Sequence, residues 1–228
     1  MDIILHGPPG AGKGTQSENI CEKLGIVAIS TGDLIRTEIK NGTELGKTVK
    51  AYSSQGRLVP DETVMQILAK RLEQDDVANG VLFDGFPRTS NQAKMLKEWL
   101  GARGRSVNAV FSLEITDEEA MFRCTYRLTN PETKKTYHIY YHKPKILARS
   151  ETDQTPIFAC PNGTKLVMRD DALPSKVQTR IDTYHAETKP LLEQLEKDFN
   201  YKVFKVDGMP YIDDIKEEIN QIIQENLR

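Results

Sequence analysis

The run Gly7-Pro8-Pro9-Gly10-Ala11-Gly12-Lys13-Gly14-Thr15 has the composition of a phosphate cradle. It follows the apolar run Ile3-Ile4-Leu5 and opens a helical pattern. Glycines let successive backbone N–H groups turn inward, a helix N-terminus adds the positive end of its dipole, and Lys13 supplies a mobile cation. In the strict pattern a hydroxyl residue follows the lysine. Here Gly14 intervenes, so Thr15 is the candidate hydroxyl for magnesium. A second cluster, Phe83-Asp84-Gly85-Phe86-Pro87-Arg88, ends another apolar run. Parallel sheets bind ligands at the carboxyl ends of their strands. That places Asp84 near the phosphate loop as the candidate for holding hydrated magnesium, and Arg88 where its guanidinium can fork onto phosphate oxygens.

The elements that must position these residues are legible as alternating patterns. Short β-branched runs at Ile3–Leu5, Val27–Ile29, Val81–Phe83, Ala109–Phe111 and Val203–Val206 alternate with helical stretches, predicting a parallel sheet wrapped on both faces. Near the end of the chain, Ile212, Ile215, Ile219, Ile222 and Ile223 recur at helical spacing as a core stripe. Two stretches break the alternation. From Thr31 to about Pro60 there are two polar helical patterns and no strand. From about Leu128 to Met168, prolines mix with alternating segments such as Thr136-Tyr137-His138-Ile139-Tyr140-Tyr141, predicting a small β-rich excursion.

Composition narrows the function classes. The 228 residues, 38% hydrophobic, suit one α/β core carrying insertions. Lys plus Arg number 31 against 33 acids, a net charge of -2, so no bulk field draws in nucleic acid or a membrane surface. Cys21, Cys124 and Cys160 are far apart without a C-x-x-C pair, which argues against a disulfide framework and a four-ligand zinc site. An apolar strand starting at Ile3 leaves no room for a leader, and no run approaches the ~20 apolar residues of a membrane span. A cytoplasmic location is expected, and a monomer, since no apolar stripe is left over.

The residues Ser30-Thr31-Gly32-Asp33-Leu34 with Arg36, then Gly56-Arg57-Leu58-Val59, Asp84-Gly85-Phe86-Pro87-Arg88 and Gln92, stand in the order seen in adenylate kinases. The chain resembles the long form of that family over essentially its whole length. The resemblance implies a P-loop five-stranded parallel sheet flanked by helices, with its core at 1–30, 61–127 and 169–228. It implies an AMP-binding helical subdomain at 31–60 and a lid subdomain at 128–168. The implied reaction is ATP plus AMP to two ADP, with Mg²⁺ accompanying ATP and ADP as the product and reverse substrate. For AMP it implies Thr31, Arg36, Arg57, Leu58, Val59, Gly85, Phe86, Pro87, Arg88 and Gln92. For ATP it implies Gly10, Ala11, Gly12, Lys13, Gly14, Thr15, Arg123, Arg127, Tyr137, Gly208 and Pro210. Arg169 and Arg180 match the arginines that converge on the transferred group and the AMP phosphate. Lys13, Asp84, Arg88, Arg123, Arg169 and Arg180 form the implied catalytic set.

These assignments make chemical sense. Arg36 and Arg88 can grip a phosphate, the Gln92 amide offers a donor and an acceptor to an adenine edge, and Arg123 can stack on a base. The sequence departs from the family pattern at Leu128, at Lys134-Lys135-Thr136 before Tyr137, and at Ala172 after Asp170-Asp171. Relatives that clamp the lid with zinc use four ligands. Cys160, with His138 and His142 at unsuitable spacing, predicts none. Two other readings stay open: a GTP-dependent or pyrimidine nucleoside monophosphate kinase, and a P-loop regulatory switch without transfer activity. The switch lacks an Asn-Lys-x-Asp guanine motif.

Overall fold

Side chains two apart on a strand face the same way, so each short apolar run can feed two cores at once. The computed structural model describes residues 1–133, 135–141, 144–149 and 156–227, which leaves Lys134, His142 and part of the predicted lid outside the described residues. The first half of the chain runs β1 (Asp2–His6), α1 (Lys13–Leu24), β2 (Val27–Ser30), α2 (Thr31–Asn41), α3 (Glu44–Ser53), α4 (Asp61–Leu72), β3 (Val81–Asp84), α5 (Ser90–Gly101), β4 (Val107–Glu114) and α6 (Asp117–Thr125). The second half runs β5 (Arg127–Thr129), β6 (Thr136–His138), β7 (Lys145–Arg149), β8 (Pro156–Ala159), β9 (Val167–Met168), α7 (Pro174–Thr183), a π-type turn at Tyr184–Thr188, α8 (Lys189–Lys197), β10 (Val203–Asp207) and α9 (Ile212–Asn226).

All five predicted core runs fall in one parallel sheet of order β10-β4-β1-β3-β2. Ile4, Phe83 and Val110 face α4, α5 and α8, while Ile3, Leu5, Leu82 and Phe111 face α1 and α9. The predicted stripe on α9 buries Ile215, Ile219 and Ile223, each contributing about 1.5–3 kcal/mol. Ile212 departs from it: it begins the helix, is 38% exposed, and its carbonyl accepts from the buried Gln16 amide.

Both insertions have their own local logic. In the first, Ser30 caps α2 through the Asp33 N–H and Thr43 caps α3 through the Gly46 N–H. Among the described residues the second contains two small sheets, β6-β5-β9 and β7-β8. Leu128, Cys160 and Leu166 form a separate apolar cluster there, with Tyr137, Ile139 and Phe158 around it. Leu128, the departure from the basic residue of the family pattern, is a core residue of this insertion. Parallel register carries Ser30 beside Asp84 and Asp84 beside Leu5, so the loops leaving β1, β2 and β3 share one edge.

Candidate active site

Between β1 and α1 the glycine loop adopts the turn its sequence predicts. Gly10 has φ 81°, and a Cβ there would lie 3.0 Å from the Ala120 carbonyl and 3.2 Å from Cys124 Sγ, so glycine is required. Helix α1 starts at Lys13 with Gly12 as its N-cap and no side chain bonded to its first N–H groups. The Thr15 N–H donates to the Gly12 carbonyl at 3.0 Å, while those of Lys13 and Gly14 are left for a ligand. Lys13 Nζ donates to the carbonyls of Gly7 (2.7 Å) and Pro8 (2.8 Å). Thr15 stands exposed at the loop's end.

Among the residues expected to hold AMP, Thr31 Oγ1 donates to the Gly85 carbonyl (3.0 Å), which also accepts from Arg88 Nε (2.8 Å). Arg36 is paired with Asp33 at 2.6 Å. Phe86 and Pro87 are buried between these groups and the core, and Val59 is buried in the same core cluster. Arg57 is exposed, 5.5 Å from the Tyr52 ring centroid, and Leu58 is half-buried. Gln92 is only 2% exposed, and its amide is already engaged at both ends, with Oε1 accepting from the Arg88 N–H and Nε2 donating to Asp61 Oδ1, each 2.8 Å. A second lone pair and a second N–H remain for a base edge.

Among the residues expected to hold ATP, Arg123 bridges two segments. Its Nε donates to Glu119 Oε1 (2.6 Å) and its Nη1 to the Gly208 carbonyl (2.9 Å), which ties α6 to the loop after β10 that carries Pro210. Tyr141 donates its hydroxyl to the same Glu119 oxygen (2.7 Å), leaving its ring 5.9 Å from the Arg123 guanidinium carbon. Tyr137, expected to touch the donor, packs its ring against the apolar cluster of the second insertion.

Arg127, Arg169 and Arg180 converge from β5, the segment after β9 and α7. Asp171 joins two of them: Arg169 donates to both its oxygens (2.8 and 2.6 Å), and Arg180 Nη1 lies 3.1 Å away. Arg127 Nε and Nη2 are buried without a hydrogen-bond partner, as is Arg180 Nη1, whose contact with Asp171 lacks hydrogen-bond alignment. Unpaired buried donors cost about 1–3 kcal/mol each, and more when charged, so this cluster is built to receive an anion.

Charge crowding runs through the whole cleft. Burial pushes the Lys13 ammonium down to about 8, against the pull of Asp84. Burial, then Arg180, pushes Arg88 down to about 10, and burial with Arg169 does the same to Arg127. Burial raises the Asp84 carboxyl above its usual range despite Lys13 and Arg88. At about 8 and about 10, Lys13, Arg88 and Arg127 still carry their charge near neutral pH. Among the described residues no group of three His, Cys, Asp or Glu side chains is placed to share a metal. A single carboxylate at Asp84 suits magnesium nonetheless, because that ion keeps most of its waters and takes its other ligands from substrate phosphates. Cys160 Sγ accepts from Asn130 Nδ2 (3.3 Å) and donates to Asn162 Oδ1 (2.6 Å), so its thiol is engaged within its own insertion.

The protein-family model for adenylate kinase matches residues 5–200. The chain belongs to the adenylate kinase family. It is 40% identical over 225 residues to the adenylate kinase of Shouchella clausii, covering 99% of each chain. It is 41% identical over 223 residues to that of Lachnospira eligens, covering 98% of this chain and all of the relative. The Archaeoglobus fulgidus adenylate kinase is 39% identical over 224 residues, 98% of each chain. Three residues that sequence reasoning did not assign to the site hold its cations and amide in place: Asp171 between Arg169 and Arg180, Glu119 on Arg123, and Asp61 on Gln92. Glu119 carried a local signal, an i,i+4 acid-to-arginine spacing on one helix, and Asp171 lies in the acidic pair noted against the family pattern.

Proposed function

We propose that this chain transfers a phosphoryl group from ATP to AMP, reversibly giving two ADP. The observation that supports it best is the meeting, at one edge of the sheet, of a phosphate loop with arginines from five separate segments and a glutamine pocket at Arg88 and Gln92. A single-site nucleotide switch has no use for the second set. An oxygen of the AMP phosphate attacks the γ-phosphorus of ATP as the bond to the β–γ bridging oxygen breaks, so no nucleophilic side chain is needed. The chain's work is placement, charge neutralisation and exclusion of water.

In this reading the loop from Gly10 to Thr15 and Lys13 hold the donor's phosphates, and Arg123 with the loop at Gly208 and Pro210 flanks its base. Arg36 and Arg88 hold the AMP phosphate, while Gln92 reads the adenine edge. Arg127, Arg169 and Arg180 face the transferring group. Asp84 and Thr15 are the residues that would hold hydrated magnesium, which would supply further charge neutralisation on the donor phosphates. Residues 31–60 act as the AMP-binding subdomain and 128–168 as a lid over the donor, on a core made of the rest. No described helix is long and apolar enough to cross a membrane. The three free cysteines suit a reducing compartment, the cytoplasm in this proposal, and a monomer is proposed with it.

A coupled assay across four nucleoside triphosphates and four monophosphates tests the reaction. ATP with AMP is the expected best pair. GTP as best donor with AMP would move the chain to the GTP-dependent branch, and no transfer at all would leave the regulatory switch. A bisubstrate molecule, two adenosines joined by five phosphates, is expected to bind one per chain and far more tightly than ATP.

A further inference from the structure

The carboxylate of Asp61 is the first residue of α4, just past the end of the first insertion, and it collects three side-chain donors. Its Oδ1 accepts from Gln92 Nε2 at 2.8 Å, and its Oδ2 from Thr89 Oγ1 at 3.0 Å and Asn91 Nδ2 at 3.1 Å. A carboxylate only accepts, so the Gln92 amine must face it. At the amide's other end the Arg88 N–H only donates, so the Gln92 oxygen must face that. These two partners fix the amide orientation between them. A flipped amide would set N–H against N–H at Arg88 and oxygen against oxygen at Asp61, losing two buried hydrogen bonds.

The geometry points to Asp61 as a positioning residue that locks the Gln92 amide in one orientation and thereby sets which purine the acceptor site takes. This rests on the proposed reading that Gln92 faces the acceptor base. Adenine presents a donor at its 6-amino group and an acceptor at N1. A 6-oxopurine presents the reverse pair, an acceptor at O6 and a donor at N1–H. A free glutamine amide would serve both by turning over, so the side chain's identity alone does not discriminate. A fixed amide does, because the wrong base meets like against like, and sites built to hydrogen-bond one pattern reject the inverted one strongly. Asp61 also links this selection to phosphate binding. The Arg88 backbone that holds the Gln92 oxygen is that of the arginine whose Nε is anchored on the Gly85 carbonyl.

The test uses AMP and IMP as acceptors with saturating MgATP, in the wild type and in Asp61→Asn, Asp61→Glu and Asn91→Ala. Asp61→Asn is expected to narrow the AMP-to-IMP ratio of kcat/KM by about tenfold or more, raising KM for AMP while KM for ATP stays within about twofold. Asp61→Glu, which keeps an accept-only group, should recover much of the ratio. Asn91→Ala removes a donor to Asp61 without touching Gln92 and should leave the ratio unchanged. Should the Asp61 variants fail to fold, the Gln92 side-chain amide protons of the ¹⁵N-labelled wild type serve instead, with slow exchange expected. A folded Asp61→Asn enzyme whose ratio stays within about twofold of wild type overturns the role of Asp61, as does fast, surface-like exchange of the Gln92 amide. A wild type that uses AMP and IMP equally would instead overturn the acceptor-site reading itself.

Discussion

Replacing Asp171 by Asn keeps the size of the side chain and removes the one negative charge shared by Arg169 and Arg180. Burial by itself would raise the Asp171 carboxyl, but Arg180 and Arg169 overcome it and hold the group well below the usual carboxylate range. The pair with Arg169 is bidentate, and all three side chains are only about one-fifth exposed, at 19% and 21%. Hydrogen bonds to charged groups contribute about 1.5–3 kcal/mol, and the remaining exposure screens part of that. A loss of about 2–3 kcal/mol is expected, which for a chain of this size lowers Tm by roughly 5–10 °C. With the carboxylate gone, Arg169, Arg180 and the buried Arg127 repel one another and leave their working positions, so kcat should fall by about a hundredfold. The bisubstrate polyphosphate carries its own negative charge into the same cluster and should restore most of the lost Tm. The sign with pH is definite. A carboxyl depressed in the folded state contributes stability that is complete above its unfolded pKa of about 3.9 and fades as pH falls further through the folded value. The variant should therefore show a flatter acid limb below about pH 4. Thermal melts with and without the bisubstrate molecule, alongside steady-state kinetics, decide it. An Asp171→Asn enzyme with wild-type Tm and kcat within about twofold would show that the carboxylate does not organise the arginines.

Lys13→Met should lower kcat by about a thousandfold or more while circular dichroism stays native, since one cation at the transferring group supplies several kcal/mol; near-normal turnover would remove Lys13 from the chemistry. In the ligand-free enzyme, Lys13 loses its proton as pH rises through about 8, so ATP affinity by calorimetry should weaken above that pH in wild type and not in Lys13→Met. The same shift makes this group's contribution to stability rise between about pH 8 and its unfolded value, where only the unfolded chain binds the proton. At Gly46 an added Cβ would sit 2.1 Å from the Glu38 carbonyl oxygen, so Gly46→Ala must push α3 away from α2 at a cost of about 1–3 kcal/mol. KM for AMP should rise about fivefold or more with KM for ATP little changed, and equal effects on both would argue against a separate AMP-binding unit.

The sheet was legible because its signals are local. Each of the five strands is a short β-branched run, and the glycine loop is a contiguous motif with a fixed backbone demand at Gly10. The arginines assigned to the acceptor and the donor rest on motif order, which carries over a family's arrangement without showing what restrains each side chain. The restraints themselves lie between residues far apart in sequence. Asp61 reaches Gln92 across 31 residues and Arg123 reaches Gly208 across 85, and no periodicity marks either pair. Ile212 misled for the opposite reason. Position in a stripe ignores the neighbours that finally decide exposure, here an uncovered helix start.

Lys13 is seated on two of its loop's own carbonyls. An arriving anion therefore has to outbid an internal ligand. Giving up two charge-assisted contacts costs roughly 3–6 kcal/mol, which a lone inorganic phosphate recovers poorly and a triphosphate spread over several backbone N–H groups recovers easily. If the loop holds the donor's phosphates as proposed, a triphosphate should therefore displace Lys13 from these carbonyls far more readily than inorganic phosphate does.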